Sequence, residues 1–385
     1  MMDFGLSDEQ RMVRETARRF AEDEIVPVIG EYDREETFHP EIFRRIGRDG
    51  LLGGPIPVRF GGGGLDYIGY ALLLEEIGRA CSSLRSAISV QVSLVALSIL
   101  RWGTEEQKEK YLPRLCRGEW IGCFGLTEPG AGSDVAGLET RAVLEGKRWF
   151  LSGTKTFITN GSLADLALVI AQTDPNLGHN GLAAFLVERE ESPFVSIPIK
   201  GKLGLRASDT AEILFEGTEV PDGNILGKVG EGFHVAMSAL DQGRFSVAAG
   251  CVGILEGCLK ASVDYVKSRR QFGRQIGSFQ LVQEMLARMK VDADAARFLV
   301  YRAGLLKNKG VKDTLEVSIA KYFASEAALR AANDAVQLFG ASGYLDETPV
   351  ARYYRDAKAA TIYEGTSQIQ KLIIGHHLTG LRAFA

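Results

Sequence analysis

The hydrophobic pattern of this chain changes period twice, near Cys123 and again after Gly230, and this constrains its fold more than any other feature. Between those points short apolar runs, Arg148 to Leu151, Leu166 to Gln172, Leu182 to Val187 and Ala211 to Phe215, are separated by Gly, Asn, Asp and Pro. Runs of this length and spacing predict antiparallel strands. No helical pattern alternates with them, so a parallel nucleotide-binding sheet is not expected, and a small barrel or sandwich is.

On either side the period is helical. Ser7 with Gln10 forms a capping box ahead of Met12, Val13, Phe20 and Ile25, and Thr104 with Gln107 forms a second ahead of Tyr111 and Leu112. Between the boxes, Ile68 to Ile77 and Ser86 to Leu100 are too apolar for surface helices. After Gly230, Val235 to Val266, Leu281 to Lys307, Leu315 to Phe339 and Gln368 to Leu378 predict a four-helix bundle. The expected fold is therefore α+β and mainly α. It comprises an N-terminal helical domain (1–122), a middle β-barrel or sandwich (123–229) and a C-terminal helical bundle (230–385). A cofactor would fit in the crevice between the β domain and the bundle.

A chain of 385 residues exceeds what one core usually serves, and 45% hydrophobic with 24% charged residues is globular composition. The net charge of −4 supplies no basic field for nucleic acid, so anionic ligands must be met locally. The start, Met1-Met-Asp-Phe-Gly-Leu-Ser-Asp-Glu, lacks the order of a secretory signal, and no stretch approaches about eighteen uninterrupted apolar residues. No membrane span is expected, and the setting is cytoplasmic or, if a targeting segment is missing, an organelle matrix. Five cysteines without a Cys-x-x-Cys spacing and five scattered histidines argue against disulfides and a metal site. Cys251 and Cys258, seven apart in an apolar run, read as buried thiols on one helix face.

Three segments carry candidate chemistry. Phe124-Gly-Leu-Thr-Glu-Pro-Gly-Ala-Gly-Ser-Asp134 is a rigid loop with exposed N–H groups and the hydroxyls of Thr127 and Ser133. It suits a polar ring edge or a phosphate, and equally a tight turn before a helix cap. Trp149 to Gly161 reads as a hairpin with Phe157 and Thr159 on one face, where Phe157 either stacks on a ring or simply fills the core. Thr361-Ile-Tyr-Glu-Gly-Thr-Ser-Gln-Ile-Gln370 places Glu364 between an aromatic and a turn glycine, as a candidate catalytic base or a solvated carboxylate opening a helix. The cluster Gly61 to Gly64 lacks the ending of a phosphate-binding loop and reads as a turn.

Together with Arg269-Arg-Gln-Phe-Gly273 and Gln337-Leu-Phe-Gly-Ala-Ser-Gly343, these segments stand in the order and spacing of the acyl-CoA dehydrogenase family, which the chain resembles over essentially its whole length. The resemblance implies FAD as cofactor. Phe124, Leu126 and Thr127 would meet the flavin edge, Ser133 would lie near both FAD and the CoA portion of the substrate, and Phe157 and Thr159 would flank the ring. Many members carry tryptophan at the position of Phe157, a departure that bears on flavin shielding and partner docking. Arg269, Phe272, Gln280, Gln337, Gly340 and Ala341 would reach FAD bound to a neighbouring subunit, although Arg269 alone reads as an exposed basic helix end. Thr366 and Gln368 would return to FAD, while Asp241, Arg244 and Gly365 would contact substrate. The partners implied are an acyl-CoA, electron-transfer flavoprotein as electron acceptor, and further copies of the chain, a dimer of dimers being the usual form.

The reaction implied is α,β-dehydrogenation: Glu364 removes the α proton, the β hydride leaves for the flavin, and a trans-2-enoyl thioester results. Some relatives place the base on the helix matching Asp241 to Arg244, where this chain has Gly243, which cannot act. The segment Ser83 to Gln91 resembles the acyl pocket of glutaryl-CoA dehydrogenases and of some carrier-protein-linked dehydrogenases. There Arg85, with Ser86 and Ser89, would bind a distal carboxylate, unless Arg85 is a surface residue at a helix start. An acyl-CoA oxidase using O₂, a DNA-associated relative and a scaffold that only retains FAD are the competing readings.

Overall fold

The computed structural model describes residues 5–383. The N-terminal part is built from α1 (Asp8–Phe20), α2 (Ile29–Arg34), α3 (Pro40–Arg48), α4 (Tyr67–Ala80), α5 (Ser82–Ser89), α6 (Leu97–Trp102) and α7 (Glu105–Cys116). Both expected capping boxes form: Ser7 Oγ accepts from the Gln10 amide, Thr104 Oγ1 accepts from the Gln107 amide, and each glutamine side chain accepts from the cap residue's N–H. Helices α5 and α6 run on continuously through wider π-type turns at Val90–Ala96, a distortion that recurs at functional sites.

The middle part holds β1 (Gly122–Gly125), β2 (Arg141–Glu145), β3 (Arg148–Thr159), β4 (Leu166–Gln172), β5 (Leu182–Glu188), β6 (Val195–Pro198) and β7 (Thr210–Pro221) in one seven-stranded sheet. Strand alternation divides its residues between two cores. Leu166, Leu168 and Ile170 of β4 pack against the helices, while Ala167, Val169 and Ala171 fill the opposite face with Phe185 and Phe215. Two expectations are corrected here. The pairing is not wholly antiparallel, because β1 runs parallel to β4. Residues 149–161 are not a hairpin either: they fall mostly in the single strand β3, and the reversal lies upstream, between β2 and β3 at Gly146. Phe157 instead lies within a register break between Lys155 and Ile158.

The C-terminal part contains α8 (Gly232–Ser268), a two-residue ribbon of β8 (Arg270–Gln271) and β9 (Arg274–Gln275), then α9 (Gln280–Asn308), α10 (Thr314–Phe339), α11 (Pro349–Ala360) and α12 (Ser367–Thr379). The four expected bundle helices are present, and α11 joins them. Ser82–Trp102 and Gly232–Ser268 have the length and apolarity of membrane spans, but 94% and 72% of the respective windows are buried inside the molecule, so both are core helices. All five cysteines are buried and free.

Candidate active site

A cavity of about 460 Å³ lies where α5, β3, α8 and the turn between α11 and α12 converge. It is lined by Phe124, Leu126, Thr127, Phe157 and Thr159 on the β side, by Arg85, Ser86 and Ser89 on the α5 side, and by Tyr363 and Glu364 on the bundle side. Three segments far apart in sequence are thus brought together around one space.

The β side is held by a buried ion pair. Lys155, without solvent-exposed surface, donates to Glu128 Oε1 at 2.6 Å and to the Leu126 carbonyl at 3.2 Å. The Glu128 carboxylate also accepts from the amides of Glu139 and Thr140, and the Thr156 amide donates to the Thr127 carbonyl at 2.9 Å. Desolvation brings the Lys155 ammonium down to about 8 against the opposing pull of Glu128. Leu126 and Thr127 are therefore clamped to β3. One residue past this clamp the register break puts Phe157 in the left-handed region, φ 57°, with its ring 69% exposed. A bulky residue holds that backbone only where its surroundings enforce it.

The same strain marks the bundle side. Glu364 has φ 57° and is followed by Gly365 at 84°. The reversed peptides are fixed through their carbonyls: Gln370 Nε2 donates to those of Glu364 and Gly365 at 3.0 Å, Lys321 Nζ donates to that of Gly365 at 2.7 Å, and Arg244 Nε approaches that of Glu364 at 3.4 Å. The carboxylate itself turns inward, with Oε2 shut off from solvent and without a hydrogen-bond partner. Burial pushes its pKa up to about 7, against the lowering influence of Arg244, Lys321 and Arg85. An unpartnered carboxylate that titrates near neutrality is a competent general base.

Arg85 is 2% exposed, so it is not a surface residue at a helix start. Its guanidinium donates to the Tyr363 hydroxyl at 2.6 Å and to Ser89 Oγ at 3.2 Å, leaves Nε unpartnered, and meets no carboxylate among the described residues. The cation is thus buried beside the cavity with only hydroxyls as hydrogen-bond partners and no carboxylate paired to it, an arrangement that an anion entering the cavity would complete.

The remaining expected residues lie elsewhere. Ser133 is exposed on its loop, outside the cavity lining. Asp241 pairs with Arg244 at 2.7 Å and accepts from Thr314 on α10. Gly365 sits behind the base, Thr366 caps α12, and Gln368 is exposed in its first turn. Arg269, Phe272, Gln280, Gln337, Gly340 and Ala341 are all exposed, with Phe272 at 93%. The segments carrying them meet through a Tyr265–Phe339 stack at 4.0 Å. Lys321, Gln370, Lys155, Glu128 and Tyr363 were absent from the expected set. Only Lys321 carried a readable signal, a charged side chain among the alanines of α10.

Residues 7–119, 123–218 and 230–379 match the family models described as the N-terminal, middle and C-terminal domains of acyl-CoA dehydrogenase. The chain is 44% identical to an acyl-CoA dehydrogenase of Bacillus subtilis, over 97% of this chain and 99% of the relative. It is 41% identical to a glutaryl-CoA dehydrogenase of Desulfococcus multivorans, over 99% of each. With a mitochondrial short-chain specific acyl-CoA dehydrogenase of Mus musculus it shares 42% identity over 97% of this chain and 90% of the relative. Among solved structures, butyryl-CoA dehydrogenase from Megasphaera elsdenii superposes with a TM-score of 0.96 at 40% identity, covering 98% of this chain and 100% of the other. A chain solved in work on the electron transferring flavoprotein of Acidaminococcus fermentans gives 0.97 at 44% identity, covering 98% and 100%.

Proposed function

Because this chain belongs to the acyl-CoA dehydrogenase family, we propose that it dehydrogenates an acyl-CoA bearing a distal carboxylate, with Glu364 as the base and FAD as cofactor. The observation that carries the assignment of the base is the placement of the unpartnered Glu364 carboxylate in the same cavity as the five β-side residues expected at a flavin. The residues fit such a ring. Phe157 presents an aromatic face that its own chain leaves 69% exposed, Phe124 and Leu126 add apolar surface, and Thr127 and Thr159 bring hydroxyls for a polar edge. When bound, FAD supplies the hydride acceptor.

The chain's own residues do the rest. Glu364 accepts the α proton, and its raised pKa makes it basic enough to compete for a proton beside a thioester carbonyl. The left-handed Glu364–Gly365 turn, anchored by Gln370 and Lys321, fixes where that carboxylate points. The apolar lining, Val90, Leu94, Leu240 and Val247, excludes water from the reacting carbons.

The distal carboxylate is argued from Arg85, whose buried guanidinium has only hydroxyl partners. The likeness to a glutaryl-CoA dehydrogenase supports this reading, and the likeness to a butyryl-CoA dehydrogenase supports an unsubstituted chain instead. Comparing kcat/KM for glutaryl-CoA and butyryl-CoA decides between them: preference for butyryl-CoA overturns the carboxylate.

For the electron acceptor we favour electron-transfer flavoprotein, on the strength of the structural neighbour solved in that context. Anaerobic reduction followed by reoxidation with either that flavoprotein or O₂ tests it, and fast reoxidation by O₂ alone indicates an oxidase. The exposed set Arg269, Phe272, Gln280, Gln337, Gly340 and Ala341 suits the FAD of a neighbouring copy, which makes the working form a homo-oligomer, a dimer of dimers in our reading. Ser133, Thr366 and Gln368 belong to the same proposed cofactor surface, and Asp241, Arg244 and Gly365 to the substrate side. Relatives from a bacterium and from mitochondria support a cytoplasmic or matrix setting.

A further inference from the structure

Lys321 is fully buried on α10, whose other buried residues around it are the small Ser318, Ala320, Ala324, Ser325, Ala327 and Ala328. Its ammonium donates to the Gly365 carbonyl, one peptide beyond the base, and pairs with no carboxylate among the described residues. That carbonyl already accepts from the neutral amide of Gln370 at 3.0 Å, so the hydrogen bond alone does not require a charged donor. Burying an ammonium is costly, and desolvation brings this one down to about 8. A neutral side chain would meet the packing and bonding needs more cheaply, which leaves the charge itself to be accounted for.

The charged groups facing Glu364 come from three packed elements. Arg244 on α8 already has Asp241 as counter-ion at 2.7 Å. Arg85 on α5 is engaged by Tyr363 and Ser89. Lys321 on α10, like Arg85, has no paired anion among the described residues, but it alone of the two bonds the turn that carries the base; the other titratable groups near it, Cys251 and Glu326, are a buried thiol and a carboxylate that accepts from Ser367 at 2.5 Å. We propose that Lys321 is a positioning residue for the base: it fixes the Glu364–Gly365 turn through the Gly365 carbonyl and supplies an unneutralised positive charge that favours the carboxylate form of Glu364. This rests on Glu364 being the base.

The test is the pH dependence of flavin reduction in the holoenzyme, followed anaerobically by stopped flow with butyryl-CoA. Lys321→Met removes charge and donor, Lys321→Gln removes the charge but keeps a donor for the Gly365 carbonyl, and Lys321→Arg keeps both. The expected result is that the acid limb moves up by about one pH unit in the Met and Gln variants, stays in place in the Arg variant, and that the reduced rates recover at high pH. Flavin content and thermal melts report whether each variant is folded. Should Lys321→Met fail to fold, Lys321→Gln carries the test. A purely structural role would lower the rate equally at all pH values. Folded, flavin-bearing Met or Gln variants with the wild-type acid limb overturn the proposal. Glu364→Gln, run alongside, separates the two readings: if it still reduces flavin normally the base assignment fails, and if it is dead while the limb in the lysine variants stays put, only the Lys321 inference fails.

Discussion

Gly243 holds open the space that Glu364 fills: a Cβ built on Gly243 would stand within 2.5 Å of both carboxylate oxygens of Glu364. Seven residues further along the same face of α8, a Cβ on Gly250 would lie 2.5 Å from both Cδ and Nε of Arg85. One helix face thus gives up two side chains so that an acid and a guanidinium from other elements can pack against bare backbone. The absence of a base at Gly243 and the presence of one at Glu364 are the same steric fact.

Gly243→Ala should therefore displace the carboxylate rather than the helix. Misplacing a reacting group by about 1 Å costs on the order of 100-fold in rate, and flavin reduction by acyl-CoA is expected to fall by about that much while bound flavin is retained. Rapid-mixing rates together with the flavin absorbance check this. Unchanged reduction in the alanine variant would show that Glu364 has room to move without loss.

Glu364 also links catalysis to stability. Its folded pKa, about 7, lies above the ordinary 4.5, so between these values the folded chain holds a proton that the unfolded chain has released. Stability then falls as pH rises through that window, and above it the full cost of the buried charge, on the order of 3 kcal/mol, is present. Glu364→Gln should raise the melting temperature at about pH 8 and lose that advantage near pH 4.5. Calorimetry at the two pH values, before substrate is added, measures it. An advantage independent of pH would mean the carboxylate is not buried as an anion.

The helical, β, helical order was legible because period is a property of the sequence, and so were the capping boxes and the apolar helices. What was not legible depends on backbone that no side chain announces. Phe157 and Glu364 are bulky residues at φ 57°, held there by a register break in β3 against β7 and by carbonyl anchors on Gln370 and Lys321; the β3–β7 pairing and the Lys321 bond join segments dozens of residues apart. The parallel pairing of β1 with β4 escaped for the same reason, since it links strands that are not neighbours in sequence. Arg85 was readable as a residue of interest, but its burial was not, because a charged residue early in a helix has the same local pattern whether solvent or α8 covers it.

Arg85→Met tests what that buried cation is for. If it receives a distal carboxylate, removal leaves the incoming anion buried and unpaired, a loss of about 3–5 kcal/mol. The value of kcat/KM for glutaryl-CoA should then drop by at least about 100-fold, while butyryl-CoA is affected only several-fold. Gly250→Ala, which forces Arg85 from its seat, should reproduce the pattern more weakly. Equal losses for both substrates would assign Arg85 to Tyr363 and the active-site turn instead of to the substrate.

The last prediction concerns the second, exposed set of residues. Leu281, Val291 and Leu305 are large, exposed side chains along α9, and Val291 and Leu305 are two heptads apart and so share a face. Phe272, at the tip of the β8–β9 ribbon, stands beyond the start of the same helix. An apolar stripe of this kind on a folded chain suits association with another copy. Replacing Val291 and Leu305 together by arginine should reduce the mass in solution from a multiple of 41.9 kDa toward a single chain. Because Arg269, Gln280 and Gln337 are proposed to hold FAD across that contact, the same variant should release FAD on dilution. Gln337→Ala should weaken FAD retention without changing the mass. Light scattering coupled to gel filtration, with flavin absorbance recorded across the peak, reads both. A wild-type protein that runs as a single chain with a full complement of flavin would remove the cross-subunit site from the proposal and leave the cavity around Glu364 to hold the cofactor alone.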